Sequence, residues 1–153
     1  MPLVADTIKV AQSQLYKTEN PLGSNWGEPV KSYLHSVGID FPASWCAAFV
    51  YWCFDESAKQ NKVLNPLVKT GGVLRHWNEA DKKYRVVGEP KPGDIFIMDF
   101  GKGLGHTGIV IKVDENFIYT IEGNTNDSGS REGIAVCNKQ RPKKKIKGYL
   151  RYK

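Results

Sequence analysis

Residues 106–124 read His106-Thr107-Gly108-Ile109-Val110-Ile111-Lys112-Val113-Asp114-Glu115-Asn116-Phe117-Ile118-Tyr119-Thr120-Ile121-Glu122-Gly123-Asn124. Two runs alternate with period two on either side of a short polar turn, the pattern of an antiparallel hairpin. The more apolar positions are the odd ones: Thr107, Ile109, Ile111 and Val113, then Phe117, Tyr119 and Ile121. Both odd sets are expected to face a core, since a slip of one residue would turn a whole set outward. A three-residue loop, Asp114-Glu115-Asn116 with Asn116 left-handed, pairs Val113 with Phe117. That register sets His106 opposite Asn124 and diagonal to Glu122 on one face. Opposed Cβ atoms lie ~5 Å apart and diagonal ones ~7–8 Å, so the imidazole is within reach of either polar side chain.

The same period recurs at 94–100, 133–138 and 146–152, which read as further strands. The N-terminal half has a different period. Val4, Ile8, Ala11 and Leu15 share a helical face starting at or just before Asp6. Residues 20–27 form a loop with Pro21, Gly23 and Gly27. Glu28-Pro29 opens a second helix that Gly38 ends. Residues 46–59 are apolar on nearly all sides, which marks a buried central helix. Residues 73–80 make a shorter one. Helices first and an antiparallel sheet second give an α+β fold, expected as a single domain over residues 1–153.

Cys46 stands where the central helix begins, and a helix N-terminus favours negative charge, a thiolate included. A thiol there, an imidazole on a strand and a polar residue to orient that imidazole make a nucleophilic hydrolase. In this reading Cys46 attacks a carbonyl and its own N–H supports the oxyanion. His106 carries the proton, and Glu122 or Asn124 fixes the ring. Cys46 and Cys53 are seven apart on one helix, about 10 Å along its axis and beyond disulfide reach. Cys53 and Cys137 are read as small buried hydrophobes. His35 is placed as a cation at a helix C-terminus, and His76 as packing or substrate rim. No set of convergent ligands suggests a metal, and no cofactor is expected.

The net charge of +6 sits largely near the end, in Lys139, Arg141, Lys143, Lys144, Lys145, Lys147, Arg151 and Lys153. Such a run solvates an edge strand or attracts polyanions. Few aromatics interleave it, which disfavours single-stranded nucleic acid. No apolar run approaches the ~20 residues of a membrane span. No signal peptide is visible, so synthesis in the cytoplasm is expected.

The blocks Trp45-Cys46-Ala47-Ala48-Phe49-Val50, Pro92-Gly93-Asp94, Gly105-His106-Thr107-Gly108-Ile109-Val110 and Glu122-Gly123-Asn124 together resemble the CHAP family. These are the cysteine, histidine-dependent amidohydrolase/peptidase domains, related to NlpC-type and papain-like hydrolases. The resemblance covers residues 25–138 and implies a papain-like packing of N-terminal helices on the sheet. It implies cleavage of amide bonds in bacterial peptidoglycan, as an N-acetylmuramoyl-L-alanine amidase or a peptide endopeptidase. Cys46 would be the nucleophile, His106 the base, Glu122 the third member and Asn124 a fourth polar residue. Trp45, Trp77 and Asn25 are candidate substrate contacts, Asn25 and Ser44 also candidate oxyanion donors. Some members carry an acidic calcium loop near the nucleophile; residues 39–44 have only Asp40, so no calcium is expected. The implied partners are stem peptides, with anionic wall polymers and an immunity or secretion partner as further candidates. The implied agent is a monomer acting in the periplasm or wall. Two other readings compete: a Cys/His amidase acting on a non-wall amide, and a catalytically idle basic wall-binding module.

Overall fold

The computed structural model describes residues 2–123 and 134–152. Its centre is helix α3 (Cys46–Gln60), in which Ala47, Ala48, Phe49, Val50, Cys53, Phe54 and Ala58 are all buried. A helix apolar around its circumference must be covered on every side. Helix α1 (Pro2–Ser13) covers it with Leu3, Val10 and Ala11, and α2 (Val30–Ser36) with Val30, Tyr33 and Leu34. The Tyr33 ring meets Trp45, Phe49 and Trp52 at centroid distances of 5.6, 5.1 and 4.9 Å. The Ser57 hydroxyl donates to the Leu3 carbonyl at 2.6 Å, which ties α3 to the first turn of α1.

Two helix starts differ from expectation. Helix α1 begins at Pro2, because proline lacks only an N–H that the first turn leaves unpaired anyway. Asp6 therefore lies inside the helix, where its carboxylate accepts a bond from Asn61 Nδ2 at 3.0 Å. Pro29 is the residue before α2 rather than its first member. Gly38, at φ 83°, closes that helix: its N–H and that of Ile39 donate to the carbonyls of His35 and Leu34. Helix α4 (Val73–Glu79) is short, as its sequence suggests.

Five antiparallel strands form one sheet: β1 (Ile95–Gly101), β2 (Leu104–Val113), β3 (Phe117–Glu122), β4 (Cys137–Pro142) and β5 (Gly148–Leu150), in the order β4-β3-β2-β1-β5. The four α-helices of the described residues and this sheet make an α+β fold. One face carries Ile95, Ile97, Ile109, Ile121 and Leu150 into the helical core. The other carries Phe96, Met98, Val110 and Ile118 into a second apolar cluster. Both faces are thus apolar, a departure from the one-sided alternation expected of an antiparallel sheet.

The hairpin between β2 and β3 is regular where it matters and shifted where it does not. Ile109 pairs with Ile121 and Val110 with Thr120, the register read from the sequence. A bulge between Val110 and Lys112 then displaces the pairing by one, so Val113 meets Ile118 instead of Phe117. Val113 consequently packs on the second cluster rather than the helical core. Tyr119 turns to Asp114, whose carboxylate accepts its hydroxyl at 2.7 Å. Asp114 also accepts the N–H groups of Asn116 and Phe117. This side-chain turn replaces the left-handed Asn116 of the expectation; Asn116 is absent from the positive-φ residues.

Strand β4 lies several residues later than the expected 133–138, and its sequence Cys-Asn-Lys-Gln-Arg-Pro is polar. An edge strand half open to water has little need of apolar alternation, so the periodicity signal is weak there. The Pro92-Gly93-Asp94 block forms the turn into β1, as expected of it. Its Asp94 is 1% exposed and gripped by Arg151, Nε to Oδ1 at 2.8 Å and Nη2 to Oδ2 at 2.9 Å.

Candidate active site

Cys46 is the first residue of α3, with Trp45 as its N-cap. The N–H of Phe49 donates to the Trp45 carbonyl, so the N–H groups of Cys46, Ala47 and Ala48 precede the first intrahelical bond. Trp45 anchors this end. It is fully buried, and its indole N–H donates to Glu19 Oε2 at 2.8 Å. Glu19 Oε1 in turn accepts the Gly23 N–H at 2.8 Å. Burying an aromatic of this size removes about 200 Å² from water, worth about 5 kcal/mol at ~25 cal/mol per Å². That gain fixes Trp45 against Tyr33 and Phe49, and its bond to Glu19 ties the 19–27 loop to the start of the helix.

Two glycines bring the elements together. A Cβ on Gly123, just after β3, would stand 2.6 Å from Phe49 Cβ and 3.0 Å from Trp45 Cε3. Only a bare backbone lets the end of β3 approach the first turn of α3 this closely. A Cβ on Gly108 would stand 2.7 Å from both Glu122 Cγ and Phe96 Cε2. Gly108 thereby leaves the space in which the Glu122 side chain lies beside His106.

His106 on β2 and Glu122 on β3 are 2% and 3% exposed, and Nε2 of the ring meets Glu122 Oε1 at 2.5 Å. The other ring nitrogen, Nδ1, makes no hydrogen bond of good geometry within the described residues. The Cys46 thiol nevertheless lies close enough to interact with the ring. A loosely aligned contact of this kind is common in resting enzymes and tightens when substrate binds. Burial would depress the imidazole pKa, but the hydrogen bonds and charges of Cys46 and Glu122 outweigh it and raise it to about 9. Burial would likewise raise the Glu122 carboxyl, yet Arg141 and His106 bring it down to about 2.

Arg141 and Thr120 were not anticipated as site residues. Arg141 donates from Nε to Glu122 Oε2 at 2.9 Å and from Nη2 to Oε1 at 2.6 Å. Thr120 Oγ1 donates to Oε2 at 2.6 Å. The pairing of β3 with β4 explains it: Ile118 faces Arg141, Thr120 faces Lys139 and Glu122 faces Cys137, so these side chains share a side. The signal was available only to a reading that placed the fourth strand correctly. In sequence alone, Arg141 reads as one more charge of the basic run.

The remaining candidates fall elsewhere. Asn124 lies outside the described residues, so among those described Glu122 alone orients His106. Trp45, sealed in the core, presents no surface to a substrate, which corrects its assignment as a substrate contact. Trp77 is half-buried under the Arg85 guanidinium, 4.2 Å from the ring centroid, and lies over Gly148. Asn25 is half-buried with φ 56°, a turn conformation; Ser44 is exposed. His35 stands in the last turn of α2 and pairs with Asp40 at 3.1 Å. His76 is a packing residue: 4% exposed, bonded to the Tyr152 hydroxyl at 2.9 Å, its pKa pushed down by burial to about 4. All three cysteines are free thiols. Burial pushes Cys53 well up, while Cys137 is half-buried rather than enclosed. Among the described residues no group of three or more His, Cys, Asp or Glu is arranged to hold a metal ion.

The family model described as CHAP domain matches residues 38–124, which contain Cys46, His106 and Glu122. No curated protein matches the chain. Among solved structures, that of Ly7917 aligns with a TM-score of 0.55 at 14% identity, over 96% of this chain. The chain spans 61% of that one, and at this identity the likeness bears on the fold alone.

Proposed function

The chain belongs to the CHAP-domain family, whose members act as amidases or peptidases on peptidoglycan, and we propose that it hydrolyses an amide bond of the wall stem peptides through a thioester on Cys46. The observation that carries this reading is the buried series Cys46–His106–Glu122, assembled from three different elements around two space-making glycines.

The chemistry follows from the atoms. The Cys46 proton passes to His106 Nδ1, since Nε2 is engaged by Glu122. The sulfur bonds to the amide carbon, and the carbonyl electron pair moves onto oxygen, where the Cys46 N–H at the helix start donates to it. The tetrahedral centre collapses, the C–N bond breaks, and the imidazolium gives its proton to the leaving amine. A water then loses a proton to His106 and adds to the thioester. Collapse releases a carboxylic acid and returns the thiol. An imidazolium stabilised to about pH 9 retains the proton the leaving amine needs at neutral pH. Glu122 holds the ring so that Nδ1 remains directed at the sulfur.

Purified protein should release stem peptides or open cross-links in isolated sacculi, with the new termini identified by mass. Cys46→Ala should abolish release by at least about 1,000-fold while leaving the melting temperature near native. Native activity in that variant would remove Cys46 from the mechanism. Cleavage confined to non-wall amides would leave the chemistry standing and reject the substrate.

A further inference from the structure

We propose that Arg141 is a positioning residue for this site: its two-nitrogen grip on Glu122 fixes the carboxylate against His106 and keeps it ionised while the imidazole is neutral. The assignment deepens the reading above and rests on it only for the roles of Cys46 and His106.

Four bonds converge on a carboxylate that is 3% exposed. Oε1 takes His106 Nε2 and Arg141 Nη2; Oε2 takes Arg141 Nε and Thr120 Oγ1. Every catalytic cycle removes the positive charge of His106 when its Nδ1 proton leaves. At that moment the buried carboxylate would face a neutral ring, and a buried carboxylate without a cation takes up a proton instead. A protonated Glu122 could itself donate to Nε2, and the ring would then carry its hydrogen on Nδ1, toward the sulfur. The lone pair needed to accept the thiol proton would be lost. A guanidinium, permanently charged and forked to match both oxygens, prevents this throughout the cycle.

Among the described residues, the neighbouring elements bring no second fixed cation onto this carboxylate. From α3 the site receives Cys46, and from β2 His106. From β1, Phe96 and Met98 pair with Gly108 and His106 and carry no charge. Strand β3 offers the neutral Thr120. Strand β4 offers Cys137 opposite Glu122, Lys139 opposite Thr120, and Arg141. Of the β4 side chains, Arg141 bonds both oxygens of the carboxylate.

The test is a pH titration of the His106 ring nitrogens by 15N NMR on the labelled full chain. The native ring should show no step between pH 4 and 6. In Arg141→Gln a step at Nε2, the nitrogen bonded to Glu122, should enter that window as the carboxylate takes up a proton beside the imidazolium. A folded Arg141→Gln chain whose ring stays flat overturns the proposal. Where that variant does not fold, Arg141→Lys decides: the single ammonium loses the fork, and alkylation of Cys46 by iodoacetamide at pH 7 should slow at least fivefold. A native alkylation rate in a folded Arg141→Lys chain overturns the proposal equally. Neither readout involves the wall, so a shifted titration without cleavage of sacculi would reject the substrate reading and leave this one standing.

Discussion

Gly108→Ala separates the geometry of this site from its stability. The added methyl would meet Glu122 Cγ and Phe96 Cε2 at 2.7 Å and the Ile121 carbonyl oxygen at 3.0 Å. Carbon contacts are comfortable at about 3.5–4.0 Å, so the neighbours must retreat by about 1 Å. The Ile121 carbonyl belongs to the sheet, and the Phe96 ring is fully buried. The methyl bears on Glu122 at Cγ, and relief there shifts the carboxylate relative to His106 against the hold of Arg141 and Thr120. The 2.5 Å contact then opens to about 3.5 Å, the limit of a hydrogen bond. A displacement of this size in a catalytic constellation costs about 100-fold in rate. Overpacking itself costs about 1–3 kcal/mol, which in a chain of this length lowers the melting temperature by roughly 3–10 °C.

The assay pairs kcat/KM for muropeptide release at 25 °C with a thermal melt. Gly93→Ala is the control. Its glycine holds φ 94° in the turn before β1, and a Cβ there runs into Val4. That variant should lose comparable stability and keep its turnover at 25 °C. If Gly108→Ala melts lower yet retains activity within about twofold, the position of Glu122 does not limit the reaction, and the role assigned to it fails.

Two further outcomes concern pH. Cleavage should decline above a midpoint near pH 9 as the imidazolium loses the proton required by the leaving amine. Glu122→Gln, which removes one of the influences raising that pKa, should move this limb downward in a pH–rate profile. His76 governs a different window. Its folded pKa, about 4, lies below the ordinary 6.5, so between those values the unfolded chain binds a proton the native chain refuses. Stability should therefore fall as pH drops from 6.5 to 4, by up to about 3 kcal/mol from the 2.5-unit difference. Between 6.5 and 4.5 neither His106 nor Glu122 contributes a slope, since their windows are 6.5 to 9 and 4.5 to 2. Denaturant titrations of His76→Phe should be flatter over that range; an unchanged slope would assign it to another group.

The helices were legible because burial leaves a strong periodic trace. Residues 46–59 are apolar all round, and α3 runs from Cys46 to Gln60. The hairpin register at the site was legible for the same reason: Ile109 and Ile121 must enter one core. The bulge after Val110 was not, because the second face of the sheet is also apolar and Val113 finds a place on either side. A one-residue shift that costs no burial leaves no mark on the hydrophobic pattern. The space-making roles of Gly108 and Gly123 were equally hidden, since a close approach is a property of two elements and a sequence presents each separately.

The basic C-terminal run carried a finer signal than its net charge. Arg141 and Arg151 are its two named arginines, and each holds a carboxylate through two nitrogens, Glu122 at 3% exposure and Asp94 at 1%. The lysine pairs of the run have exposed acidic partners: Lys143 with Glu89 at 2.7 Å and Lys147 with Asp99 at 3.9 Å. Lys144 and Lys145 are exposed in the turn after β4. The division has a physical cause. A guanidinium is weakly hydrated and matches both oxygens of a carboxylate, so it can follow that carboxylate out of water; an ammonium, strongly hydrated, is better left at the surface. Counting the run as one polyanion-binding patch therefore spends two charges that the interior already holds. Any attraction to anionic wall polymers must come from the lysines, and salt should weaken it without touching the arginine contacts on Glu122 and Asp94.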